Sequence, residues 1–250
     1  MPADLATIGI LGAGKVGTVL ARLALAAGHR VLISSSGSAE RIALIVDVLA
    51  PGAEPRTTAQ VVEEADVVIL ALPLGKVRTL PADALAGKTV IDAANHWEPV
   101  DGPLPEFTQD PRGTSEVVAD LLPGARVVKA FSHLGYHDLD ERGAPAGTPG
   151  RIALAIAGDD PAAVQTVADL VDSFGFDPLL TGDLATGRGF QAHTEAFGYP
   201  LTIEELRADV GRSLAGRVPV AGGCIETAPG DSRMGFDTPR WAGTQPTEFS

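Results

Sequence analysis

The stretch TIGILGAGKVG, residues 7–17, limits the possible folds more than any other part of the chain. An apolar run leads into Gly12, Gly14 and Gly17 in the G-x-G-x-x-G spacing, and an amphipathic segment follows over 16–27. The three glycines have separate physical roles. The first permits a tight turn out of a strand, the second lets the backbone approach a diphosphate, and the third lets a helix pack closely on the sheet. A second apolar run at 30–34 completes a βαβ unit, the context that makes the spacing informative. The N–H groups of Ala13, Gly14, Lys15, Val16 and Gly17, at the mouth of the expected helix, then form a natural anion site.

Short β-branched runs alternate with longer amphipathic stretches to about residue 180. This predicts an α/β chain of the Rossmann type: a doubly wound, mostly parallel sheet with helices on both faces. Strands are expected at 7–11, 31–34, near 54–57, and at 67–71, 89–92, 126–130, 151–157 and 177–180. Asp160 before Pro161 predicts an N-cap, and Thr202-Ile-Glu-Glu205 a capping box. Residues 94–113, with four prolines, read as a long loop. Beyond about Gly222 the periodicity stops. The chain therefore divides into one domain over 1–222 and a polar, Gly/Pro-rich tail over 223–250.

A net charge of −13 argues against sequence-independent binding to nucleic acid or anionic membrane, which needs clustered Lys and Arg. The one cysteine, Cys224, leaves no internal disulfide framework. With no basic leader and no apolar run of membrane-spanning length, a cytoplasmic protein is expected. Any phosphate-bearing ligand must be held by local donors, because the overall charge repels it.

Those donors bear on cofactor choice. An NAD site carries an Asp or Glu at the end of the second strand, and that acid would repel a 2′-phosphate. Residues 31–39 contain none. Ser34, Ser35 and Ser36 offer hydroxyls, Gly37 an accessible backbone, and Arg41 a charge one turn into the next helix, so NADP(H) is expected over NAD(H). Serines at strand ends also serve as simple helix caps, and Glu40 is nearby.

With these residues in place the chain resembles the NADP-dependent deazaflavin (coenzyme F420) oxidoreductases and the related reductase domain of the STEAP metalloreductases. The matching pieces are the glycine loop, GHRVLISSS at 28–36, ADVVILALP at 65–73, VIDAANH at 90–96, TSEVVADLLPGARVVKAF at 114–131 and AGDDPAAV at 157–164. The resemblance implies that Leu72 and Pro73 lie along the cofactor and that Ala94 and Asn95 lie at its nicotinamide end. It implies that Ser132, His133 and Leu134 form the floor on which nicotinamide and acceptor meet. Relatives often carry Asn-Thr where this chain has Ser132-His133, and Arg where it has Ser36. The acceptor implied is a small redox molecule, F420 or a flavin, and self-association into a homo-oligomer is expected.

Other readings compete at several positions. Lys15 and Lys76 could meet phosphate or simply occupy solvated first turns. His133, His137 and Asp138 suggest a metal cluster only superficially, since Gly135 interrupts them and no long helix carries them; no metal is expected. Arg188, Gln191 and His193 could line an acceptor pocket or belong to an ordinary helix before a Pro turn, and Trp97 could stack on a ring or anchor its loop. No nucleophile elbow, triad or paired catalytic carboxylates are visible, so no side chain is singled out as catalytic. Hydride transfer between stacked rings requires positioning more than an acid or base. Two alternative functions remain: NADPH-dependent reduction of a small carbonyl or imine, and a noncatalytic NADP-binding redox sensor.

Overall fold

The computed structural model describes residues 6–96 and 98–216. The tail over 223–250, Cys224 and Trp97 therefore lie outside the described residues. The described residues form eight strands: β1 Thr7–Leu11, β2 Arg30–Ser34, β3 Glu54–Pro55, β4 Val67–Leu70, β5 Thr89–Asp92, β6 Arg126–Lys129, β7 Ala153–Gly158 and β8 Asp177–Gly182. They form one sheet in the order β3-β2-β1-β4-β5-β6-β7-β8. All neighbours pair parallel except β6 and β7, which run antiparallel. The strand order reverses between β1 and β4, which is the topological switch point of a doubly wound sheet.

The connections carry α1 Lys15–Ala26, α2 Glu40–Leu49, α3 Thr58–Glu64, α4 Ala82–Leu85, α5 Glu98–Asp101, α6 Pro105–Thr108, α7 Thr114–Leu121, α8 Tyr136–Glu141, α9 Pro161–Ser173 and α10 Ile203–Ala215. Two 3-10 turns lie at Leu74–Thr79 and Leu184–Gly189. Residues 94–113 are thus not one long loop: α5 and α6 interrupt them, with Pro105 at the first turn of α6, where its missing N–H costs nothing.

Strands buried on both faces explain the continuous apolar runs in the sequence. Ile8, Ile10, Ile69 and Ile91 point to a core shared with α1, α2, α8 and α9. Leu11, Val68, Leu70 and Val90 point to the opposite core with α3, α4, α6 and α7. A third cluster packs α10 and Phe190 against β7 and β8. Asp160 caps α9 by accepting from the Ala163 N–H at 2.8 Å, and Glu205 accepts from the Thr202 N–H at 2.9 Å, as the two capping sequences require. Among the described residues no helix is long and apolar enough to cross a membrane.

Candidate functional site

The parallel strands bring one row of residues level across the sheet. Ser34, Leu11, Leu70, Asp92 and Lys129 are successive register partners on β2, β1, β4, β5 and β6. The loops after these residues therefore leave the same edge, spaced by about 4.8 Å per strand. The glycine loop stands at the switch point. The serine loop lies one strand to one side, and Asn95 and Ser132 lie two and three strands to the other, so an elongated ligand across this edge would meet all four loops.

Each glycine of the loop does a different job. Gly12 has φ +127°, and a Cβ there would stand 2.0 Å from the Ala71 carbonyl oxygen. At Gly17 it would stand 1.8 Å from the Gly12 oxygen. At Gly14 it would meet nothing within 4 Å, so this position alone of the three opens to the exterior. Gly14 also begins α1 without a side-chain cap and with no acid in the first turn, which leaves the helix mouth to an external anion.

On the β2 side the structure corrects one expectation. Ser34 is buried, with its hydroxyl 3.3 Å from that of Thr58 and its carbonyl accepting from Gly12 N–H at 2.8 Å, so it shapes the loop from beneath. Ser35 is half-buried and Ser36 exposed. Arg41 folds back over Gly37, where a Cβ would lie 3.4 Å from its guanidinium, and so places a cation beside the serine loop. The Ser38 hydroxyl holds the Glu40 carboxyl below its ordinary range, making Glu40 the local anion.

Leu72 is half-buried and Pro73 exposed at the end of β4, and Lys76 is exposed on the following 3-10 turn. Lys15 hydrogen-bonds the Tyr136 hydroxyl at 3.2 Å, tying the glycine loop to the start of α8. Arg22 and Asp140 join the same two helices.

Beyond β5 and β6 lies a polar cluster that the sequence did not announce. Asp92 and Lys129 are fully buried, 3.9 Å apart. Asp92 accepts from Ala94 N–H at 3.0 Å and from the Ser115 hydroxyl at 2.6 Å, while Lys129 donates to Thr114 at 3.3 Å. Burial pushes the Lys129 amine below its ordinary range, against the pull of Asp92. Gly187 makes room for the lysine stem: a Cβ there would meet Lys129 Cδ at 2.8 Å. In VIDAAN and VVKAF a single charged residue closes an apolar run at a strand end, a signal that could have singled out Asp92 and Lys129 but not their pairing.

Asn95 Nδ2 donates to the Ser132 carbonyl. Asn95 Oδ1, Ser132 Oγ and both ring nitrogens of His133 are buried without hydrogen-bond partners. His133 stands edge-on to Phe190, and burial lowers its pKa to about 4, keeping the ring neutral. Phe131, just before them, has φ +60°, strained backbone for a bulky residue. Leu134 is turned into the main core with Leu139 and Phe131, so its side chain is not part of an open pocket wall.

The neighbouring segment departs from an ordinary helix. After its 3-10 turn it continues as turns through Thr194 and Phe197, with exposed His193 at φ +71°, and Gln191 accepts from Thr114 N–H at the start of α7. His137 is exposed against the Tyr136 ring, remote in character from buried His133. Among the described residues no group of three or more His, Cys, Asp or Glu side chains could hold a metal ion. A cavity of about 380 Å³ between α1, the loop after α8 and the end of α9 is walled by Arg151, whose guanidinium is already bound to Asp172 and Asp177.

Residues 7–96, the part from β1 to β5 that carries the glycine cradle, match the family described as NADP oxidoreductase, coenzyme F420-dependent. The likeness to this family covers β1 to β5, 90 of the 250 residues. The rat (Rattus norvegicus) metalloreductase STEAP3 is 29% identical over 195 residues, 77% of this chain and 37% of that protein. The chain thus spans little more than a third of that curated relative. Among solved structures, protein SMa0349 of Sinorhizobium meliloti is 29% identical with a TM-score of 0.64, covering 80% of this chain and 96% of that one. A protein of Arthrobacter sp. FB24 assigned as an F420-dependent NADP reductase is 28% identical with a TM-score of 0.61, covering 74% and 88%.

Proposed function

We propose that the chain binds NADP(H) across the carboxyl edge of its sheet and passes a hydride between it and a flavin-like acceptor, the deazaflavin F420. The observation that carries the reading is the open position at Gly14 above an uncapped helix mouth, between two backbone-crowded glycines. The donor set suits the NADP form: no acid ends β2, and Arg41 lies over Gly37 beside Ser35 and Ser36. Unpartnered Asn95 Oδ1 and Ser132 Oγ supply polar contacts at the other end.

When bound, NADPH supplies the hydride from its nicotinamide ring. The chain's own residues bind and orient. Amides of 13–17 hold the diphosphate, and the serine loop with Arg41 holds the adenosine-side phosphate. The turns at 93–95 and 131–134 fix the far end. Neutral His133 and the rigid Asp92–Lys129 pair keep these turns in place without transferring a proton. The F420 acceptor rests on the family match and on the Arthrobacter relative.

Calorimetric titration with NADPH and NADH, followed by stopped-flow mixing of the NADPH complex with F420, FAD and FMN, tests the proposal. The expected result is preference for NADPH and fastest oxidation by F420. Preference for NADH, or oxidation only by a carbonyl or imine substrate, would overturn it. Self-association belongs to the same proposal, and sedimentation velocity tests it.

A further inference from the structure

Helix α2 is apolar on both of its sides. Ile42 and Val46 are buried in the main core, as a surface helix requires. The outer face carries Leu44, Ile45, Val48 and Leu49, which are 78%, 46%, 67% and 41% exposed. Among the described residues the other large apolar side chains left open are Leu180 and Tyr199, which lie apart, on β8 and in the turns before α10. Single apolar residues on a surface need no explanation, but four on one helix do, because a helix apolar all round is ordinarily covered. Spacing joins the four into one patch: Leu44 and Val48 are one turn apart, as are Arg41, Ile45 and Leu49 in succession, and Asp47 falls on the flank. The stripe from Arg41 to Leu49 therefore holds no carboxylate. β3, which packs against α2, is the last strand on this side, so the sheet brings no further element over the outer face.

We propose that this face is the surface through which two copies of the chain pair about a two-fold axis, α2 against α2. The proposal rests on the self-association proposed above and gives it a place. A chain of net charge −13 repels its own copy at long range, so two copies approach most readily where carboxylates are fewest, and the α2 stripe is such a place. An antiparallel crossing sets Leu44 of one copy against Leu49 of the other, and Ile45 against Val48, so the patch complements itself. The four side chains expose on the order of 400 Å² in each copy, the size at which patches on single chains mark contact sites. With exposed Arg41, Pro51 and Gly52 beside them, two copies would bury about 1,200 Å², where specific interfaces begin. The same net charge opposes an anionic membrane as occupant, since the stripe offers one cation, Arg41. Residues 217–250 follow α10, which packs on β7 and β8 at the opposite end of the sheet, and their Gly/Pro-rich sequence contains no apolar stripe to match.

Sedimentation velocity of the full chain across a concentration series tests the proposal. The wild-type protein should sediment as a dimer. Leu44→Glu and Val48→Glu should each raise its dissociation constant at least about a hundredfold, because symmetry brings two carboxylates into one apolar contact, whereas Leu180→Glu should leave it within about twofold. Circular dichroism of both α2 variants should match the wild type, since neither side chain is buried within the single chain. A wild-type dimer that survives both α2 substitutions overturns this surface alone and leaves self-association to another face. A wild-type monomer at every concentration overturns the surface and the self-association together, and flotation of that monomer with phosphatidylcholine vesicles would give the face to lipid instead.

Discussion

Substituting Gly14 and Gly12 separately by alanine should divide ligand binding from folding. At Gly14 the added methyl meets no atom within 4 Å and the backbone, at φ −84°, suits an L-residue. The folding cost is then limited to replacing glycine at a helix N-cap, about 0.5–1 kcal/mol. In a domain of this size that lowers Tm by roughly 2–4 °C at most. The same methyl, however, stands over the helix mouth where a diphosphate would sit. Losing one or two charge-assisted hydrogen bonds, about 1.5–3 kcal/mol each, should weaken NADPH by at least about tenfold and up to about 10⁴-fold. At Gly12 the methyl would stand 2.0 Å from a backbone oxygen at φ +127°, which neither residue can relieve by a rotamer change. That variant should lose about 3 kcal/mol or more of stability, a cost expected of combined strain and overpacking. Thermal denaturation read beside calorimetric titration checks both. NADPH affinity within a few-fold of wild type in Gly14→Ala would refute the cradle, and an undisturbed Tm in Gly12→Ala would refute the packing.

Three further outcomes follow from the same geometry. Replacing Ser35 and Ser36 by Asp should weaken NADPH at least about tenfold more than NADH, and Arg41→Ala should act in the same direction, both measured by competitive titration. Asp92→Asn or Lys129→Met alone leaves an uncompensated buried group and should cost about 3–5 kcal/mol, whereas the double variant should cost clearly less than the sum in a denaturant-unfolding cycle. His133, with a folded pKa of about 4 against an ordinary 6.5, binds its proton more weakly folded than unfolded. Its share of stability is therefore complete above about pH 6.5 and falls by up to about 1.4 kcal/mol per pH unit as pH drops towards 4. His133→Leu should flatten that part of the urea-midpoint profile, and an unchanged slope would show that the ring titrates normally.

Seven of the eight strands were readable because each contains an apolar run bounded by turn residues. The boundaries of β3 and of the segment 94–113 were not, since a two-residue strand and one-turn helices carry too few residues for a period to show. At the site, the glycine loop was legible because steric need fixes glycine at Gly12 and Gly17. Ser34 misled: a hydroxyl at a strand end looks the same in sequence whether it faces a ligand or, as here, Thr58. Asp92 and Lys129 were missed because their pairing depends on neighbouring strands 37 positions apart in sequence, visible only once Asp92 and Lys129 are in register. Asn95 and Ser132 were named from the resemblance, but the bond between them joins two loops 37 positions apart.

The most direct test of the account is a single-turnover reaction of NADPH deuterated at the transferring position of its nicotinamide ring with F420, the product read by mass spectrometry. Deuterium found on the reduced deazaflavin, and lost when Gly14→Ala replaces the wild-type protein, is the predicted result. Deuterium retained on the nucleotide, with wild-type protein saturated by both partners, would contradict it.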